Sequence, residues 1–253
     1  MKNIKLTLSY DGTDFYGFQI QKNLRTVASE LIKAIEKING VETNIICSGR
    51  TDTGVHADGQ VVNFFTEKTN LTEYNWVCAL NSYLPRDIRI LDAEFVSEKF
   101  NARRSALFRE YQYRIINAKT ISALDFRYCS HYFYEKLDIE LLQKYADYLL
   151  GENDFTSFCC AGDSSLSKCR FIHSVKFERF GDLVTFKIIG NAFLQHMIRI
   201  IIGTLLMLHK EKKEPVEMQK ILQAKNRDLA GTTYFSKGLC FKRVYYSKEE
   251  LNI

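Results

Sequence analysis

Between residues 4 and 10 apolar and polar positions alternate without a break, Ile4, Leu6, Leu8 and Tyr10 against Lys5, Thr7 and Ser9. A period of two is the mark of a strand with one buried face, and Asp11-Gly12-Thr13 ends it. The period then lengthens. Val27, Leu31, Ala34, Ile35 and Ile38 fall on one face of a helix that Thr26 caps and Asn39-Gly40 stops. Residues 42–47 and 60–66 read as strands joined by a loop over 49–59, residues 72–84 as a helix closing at Pro85, and residues 88–96 as a strand. In the remainder, Tyr111, Tyr113 and Ile115 share a face of a strand over 110–116, and a helix near 137–150 lies between Asp138 and Gly151. Strands at 175–180 and 184–189 flank a Gly181-Asp182 hairpin turn, and an apolar helix follows over 193–208. Pro215 starts a short helix and residues 240–246 close with a strand. The pattern predicts an α+β protein of two subdomains, residues 1–100 and 101–253, each mixing strands with one or two helices in similar order.

Composition narrows the class. Of 253 residues 46% are hydrophobic and 26% charged, with two prolines, so an ordered globular chain is expected. The longest uncharged apolar run, residues 200–208, falls far short of the roughly 20 residues a bilayer span needs, and it reads as a buried helix. No apolar leader follows Met1, so no membrane association and a cytoplasmic location are expected. Seven scattered cysteines without a C-x-x-C pair point to reduced thiols, and five histidines lack metal-ligand spacing. Chemistry without a metal or cofactor is the expectation. A net charge of +5 permits a basic nucleic-acid surface without requiring one.

The residues that carry candidate chemistry lie in SGRTDTGVH, residues 48–56. Asp52 is a carboxylate on a glycine-bounded loop between two strands, with Arg50 two residues before it. Such a loop carries chemistry, or forms a turn in which the aspartate caps its own backbone. Gly49 and Gly54 have the spacing of a phosphate loop, but Val55 and His56 stand where that loop needs Lys and Ser or Thr. Arg199 interrupts an apolar helix, and at helical spacing Asn191, Gln195 and Arg199 form a polar stripe. A buried arginine calls for a carboxylate; the other reading is a side chain snorkelling to the surface.

The string GRTDTGVHA resembles the signature of the tRNA pseudouridine synthase A family. The resemblance continues in order through LSYDGTDFYGFQIQ, RTVASEL, FNARRSALFREYQY, GENDFTSF, GNAFLQHMIR and AGTTYFSKGLCF. It implies two pseudo-symmetric subdomains with a mainly antiparallel central sheet, helices on its faces and an RNA-binding cleft between the halves. It further implies that Asp52 is the nucleophile, that Arg199 pairs with it, that Tyr111 stacks on the uracil, and that Arg50 takes the space the base leaves. The implied reaction is the cofactor-independent isomerisation of uridine to pseudouridine in tRNA, at positions 38 to 40 of the anticodon stem-loop, by a homodimer. Arg103, Arg104, Lys168 and Arg170 are candidate phosphate contacts. The alternatives are an RNA-binding or RNA-folding protein using the same cleft, which has no need of Asp52, and a hydrolase that releases the base. The chain departs from the family pattern at Asn101, at Ile200 and over residues 232–236, away from Asp52, Tyr111 and Arg199.

Overall fold

The computed structural model describes residues 1–251, which form two compact units. The first holds Met1–Leu107 and the chain from Cys240 onward, the second Phe108–Leu239.

In the first unit the alternating segment is β1 (Lys2–Tyr10), with Ile4, Leu6, Leu8 and Tyr10 buried as their period requires. α1 (Val27–Asn39) starts with a capping box in which the Thr26 and Ser29 side chains serve each other's backbone, and it ends at left-handed Gly40. β2 (Ile46–Cys47) is short, and β3 (His56–Thr66) begins earlier than the sequence pattern suggests. α2 (Glu73–Tyr83), capped by Thr72, and β4 (Ile88–Val96) follow as expected. β1 lies between β3 and β4, antiparallel to both. Leu6 pairs with Val62 and Leu8 with Gln60, but Tyr10 pairs with Ala57, so β3 carries one extra residue near Asp58-Gly59. That bulge lets pairing run back to His56. The loop expected over 49–59 is therefore only residues 48–55.

The second unit opens with β5 (Phe108–Ile116) and contains β6 (Ser130–His131), α3 (Ile139–Asp147), β7 (Gly151–Asp154), β8 (Cys169–Phe180), β9 (Leu183–Gly190), α4 (Met197–Lys210) and α5 (Val216–Ala224). Strands β5, β9, β8 and β7 pair antiparallel in that order, and β6 lies parallel to β5. Tyr113 pairs with Phe186 and Phe186 with Phe177, so three large rings meet across the sheet. α3 ends at Asp147, short of residue 150, and Gly151 opens β7 instead. α4 also differs from expectation. It starts at Met197 rather than at residue 193, because Asn191 and Gln195 spend their backbone N–H groups on the Phe171 carbonyl and the Asp163 carboxylate, and His196 turns left-handed. The polar stripe of Asn191, Gln195 and Arg199 is therefore not a helical face, since only Arg199 lies in α4.

The closing strand β10 (Leu239–Tyr245) runs parallel to β3, with Cys240 opposite His56 and Phe241 opposite Ala57. Leu107 N–H to Tyr245 O and Tyr246 Oη to Ala102 O tie this segment further into the first unit. The first unit thus runs to residue 107 and takes in the C-terminal strand, whereas a linear reading divides the chain at residue 100. Both are α+β, with mainly antiparallel sheets and helices.

Candidate active site

Asp52 stands on a loop held from two sides. On one side, the Tyr10 hydroxyl at the end of β1 shares a buried hydrogen bond of 2.8 Å with Thr51 Oγ1. Burial drives the Tyr10 phenol well above its ordinary pKa against the opposing pull of that hydroxyl, so Tyr10 stays a neutral strut. The chain after β1 then wraps the loop: Phe18 N–H donates to the Thr51 carbonyl at 3.1 Å and Gly54 N–H to the Phe15 carbonyl at 3.3 Å. This closeness depends on glycine. A Cβ on Gly12 would lie 2.0 Å from the Val55 carbonyl oxygen, and one on Gly17, whose φ is +83°, would lie 2.7 Å from the Thr51 oxygen. On the other side, Ser48 Oγ donates to Gln60 Oε1 at 2.6 Å, and Gln60 Nε2 donates to the Gly49 carbonyl at 2.8 Å.

Within the loop, Val55 N–H closes a turn onto the Asp52 carbonyl at 3.1 Å, with Gly54 at φ +76° making the corner. The Asp52 side chain is left half-buried, and Arg50 is exposed beside it. His56 is buried and accepts the Gly12 N–H on Nδ1 at 3.0 Å, with Asp11 Oδ1 at 3.2 Å. It is a clamp between the two motifs. Two segments some forty residues apart, YDGTDFYGF and GRTDTGVH, thus make one rigid mount for one carboxylate.

Arg50 and Arg103 belong to the same side of this unit. Burial pushes the Cys47 thiol up, and the fields of Arg50 and Arg103 oppose it. Arg103 and Arg104 are exposed, and both donate their backbone N–H to Asn101 Oδ1, at 3.1 and 2.9 Å. Asn101, one of the departures from the family pattern, therefore shapes the turn that carries both cations. Arg25, absent from the sequence-derived candidates, grips Asp87 with two bonds of 2.8 and 2.9 Å, and its guanidinium lies over the Phe15 ring at 4.0 Å. It anchors the segment that wraps the Asp52 loop.

In the second unit the two tyrosines of β5 differ sharply. Tyr113 is fully buried, and its hydroxyl bonds Ser130 Oγ at 2.5 Å and donates to the Phe235 carbonyl at 2.6 Å. Burial drives its phenol pKa upward. Tyr111 meets Phe193 edge to face, with ring centroids 5.1 Å apart and planes at 78°. Arg199, in the first turn of α4, donates from Nε to the Tyr234 carbonyl at 2.8 Å, and its own carbonyl accepts the Tyr234 N–H at 3.1 Å. It is half-buried and held in place by these bonds.

Lys168 and Arg170 are already engaged. Lys168 Nζ lies 2.6 Å from Asp163 Oδ1, and Arg170 Nη1 donates to the Ser167 and Cys169 carbonyls at 2.9 and 2.6 Å. Sequence reading missed Asp163 and Phe193. Asp163 had no motif to mark it, whereas Phe193 lay inside GNAFLQHMIR and was legible only as an apolar position. Among the described residues no group of three or more His, Cys, Asp or Glu is arranged to hold a metal ion, and no helix is long and apolar enough to cross a membrane.

Comparison with known proteins gives consistent matches. The family model described as tRNA pseudouridine synthase matches residues 7–103 and 145–247. The chain is 47% identical to tRNA pseudouridine synthase A of Brachyspira hyodysenteriae, over 98% of this chain and 100% of that one. It is 42% identical to tRNA pseudouridine synthase A of Bacillus pumilus, over 96% and 98% of the two chains. Among solved structures, a likeness to a Cbf5-Nop10-Gar1 complex covers 80% of this chain and 44% of that one, at TM-score 0.38 and 13% identity.

Proposed function

The chain belongs to the tRNA pseudouridine synthase family, and we propose that it isomerises uridines at positions 38 to 40 of the tRNA anticodon stem-loop with Asp52 as the nucleophile. The observation that carries this reading is the mount of Asp52: a half-buried carboxylate on a loop fixed by Tyr10, Gly12, Gly17, His56 and Gln60. A residue serving only as a turn cap has no need of so rigid a setting.

The reaction breaks the N1–C1′ bond, turns the uracil and joins C5 to C1′, C5 giving up its proton while N1 takes one up. Neither electrons nor an activated group must be supplied. Asp52 acts on the ribose or the base as a nucleophile or base; attack at C6, attack at C1′ and removal of the C2′ proton all require it ionised. Arg199 supplies the compensating charge, and Tyr111 stacks on the uracil and handles the C5 proton. Arg50 fills the space of the extruded base. We place direct phosphate contacts on Arg103 and Arg104, both exposed residues. Lys168, paired with Asp163, and Arg170, whose Nη1 bonds two backbone carbonyls, add long-range charge instead. A homodimer and a cytoplasmic location complete the reading, on the family likeness alone.

Nucleoside analysis of tRNA treated with the protein tests it. The expected product is pseudouridine, of unchanged mass and altered chromatographic mobility, at one or more of positions 38 to 40. Free uracil with an abasic site would establish hydrolysis. Unaltered nucleosides despite tight binding would establish an RNA-binding or RNA-folding protein.

A further inference from the structure

Asp163 lies in an exposed loop between a 3-10 turn at Thr156–Phe158 and β8, yet its side chain is only 5% exposed. A buried carboxylate needs donors to offset its lost hydration. Two are local: Lys168 Nζ at 2.6 Å and Ser165 N–H at 2.8 Å, both on Oδ1. The third is not. The backbone N–H of Gln195, 32 residues away, donates to Oδ2 at 2.8 Å. Burial alone would raise this carboxyl, but Lys168 and the two backbone donors outweigh it and hold it well below the usual carboxylate range. The group is therefore ionised at neutral pH.

Gln195 belongs to an irregular segment, residues 191–196. Its beginning is pinned where Asn191 N–H meets the Phe171 carbonyl at 3.0 Å and Arg109 reaches the Asn191 carbonyl at 2.6 Å. Its middle places Phe193 edge-on to Tyr111. Its end is His196 at φ +63°, a left-handed turn that costs free energy for any residue but glycine and persists only where its surroundings hold it. One residue later α4 begins, with Arg199 in its first turn. The Asp163–Gln195 bond closes this segment at its far end.

We propose that Asp163 is a positioning residue for uridine isomerisation: by accepting the Gln195 N–H it fixes residues 191–196, so that Phe193 braces the Tyr111 ring and α4 presents Arg199. The inference rests on the reading that Tyr111 and Arg199 act on the uridine. Lys168 is then the counter-ion of this latch.

The test is steady-state turnover on tRNA, tRNA affinity and thermal midpoint for Asp163→Ala, Asp163→Asn and the loop control Leu166→Ala, each assayed well below its midpoint. Misplacing groups that must meet a transition state lowers kcat, so Asp163→Ala is expected to lose about tenfold in kcat, with KM and tRNA affinity within about threefold. Asp163→Asn keeps an oxygen for the Gln195 N–H and loses only the charge, so it should lose about threefold. Leu166→Ala, fully exposed on the same loop, should match the parent. Wild-type kcat in Asp163→Ala overturns the proposal, as does a loss confined to KM, which would mark a contact to RNA. Should Asp163→Ala not fold, Asp163→Asn decides alone: reduced kcat supports the latch and wild-type kcat overturns it. Tyr111→Phe and Arg199→Met run alongside. If both keep full turnover, the reading of the site fails; if both are impaired while the Asp163 variants are not, this inference fails by itself.

Discussion

Tyr111 and Tyr113 stand two residues apart on one face of β5, and in the sequence only the family motif, not local chemistry, selects Tyr111 as the ring that meets substrate. Their surroundings differ. That of Tyr113 bridges Ser130 and the Phe235 carbonyl inside the protein, whereas the Tyr111 ring is braced by Phe193. Tyr111→Phe is therefore expected to cut turnover by about a hundredfold, the usual scale of general acid–base assistance, with little change in stability. Tyr113→Phe should instead strand a buried hydroxyl and a carbonyl, costing about 1–3 kcal/mol in denaturant unfolding, while turnover per folded molecule stays near the parent. An inactive, stable Tyr113→Phe beside a normal Tyr111→Phe would require the pocket to be redrawn around the other ring. Asp52 was a candidate at this scale because its motif surrounds it in sequence. Asp163 was not, because its decisive partner is a backbone N–H 32 residues distant and no side-chain pattern encodes a backbone donor.

At the scale of elements, strand and helix periods were legible wherever one face is buried and the other wet. β1 and α1 follow their patterns, cap and stop included. The misplacements occurred where long-range pairing overrides local pattern. β3 extends back through a bulge to His56 because β1 and β10 both pair with it there, and α4 starts late because Asn191 and Gln195 give their N–H groups to β8 and Asp163. The Asp52 loop yields a prediction of this kind. Gly12→Ala would force the Val55 carbonyl away, since its Cβ would fall 2.0 Å from that oxygen. A loss of about 1–3 kcal/mol in stability is expected, together with a fall in kcat larger than that of a stability-matched core variant far from the loop. Equal losses in the two would mean that the mount does not shape the chemistry. The latch adds a second. Because the Asp163 carboxyl lies below its unfolded value of about 3.9, its contribution is present at neutral pH and fades only as pH falls through the acid range. Asp163→Asn should therefore be destabilised at pH 7 and converge on the parent in acid, as unfolding curves at both pH values would show.

For the whole molecule, the α+β class was legible, because each stretch carries its own strands and helices. The return of the last strand was not. β10 reads as an ordinary closing strand, and its long-range pairing with β3, with the Leu107–Tyr245 bond, assigns it to the first unit. A chain ending at residue 238 should accordingly lose hydrogen-exchange protection in β1 and β3, although it keeps all of Met1–Leu107. Protection unchanged in those strands would show that the first unit stands without β10. Whether this chain rearranges uridine in tRNA through Asp52 is decided by release of tritium from tRNA labelled at uracil C5, because forming the C5–C1′ bond expels that hydrogen. The parent protein should release tritium catalytically. Asp52→Asn should release none while binding tRNA within about tenfold of the parent, since phosphate contacts dominate affinity. Sustained release by Asp52→Asn, or none from the parent on any bulk tRNA, would contradict the account.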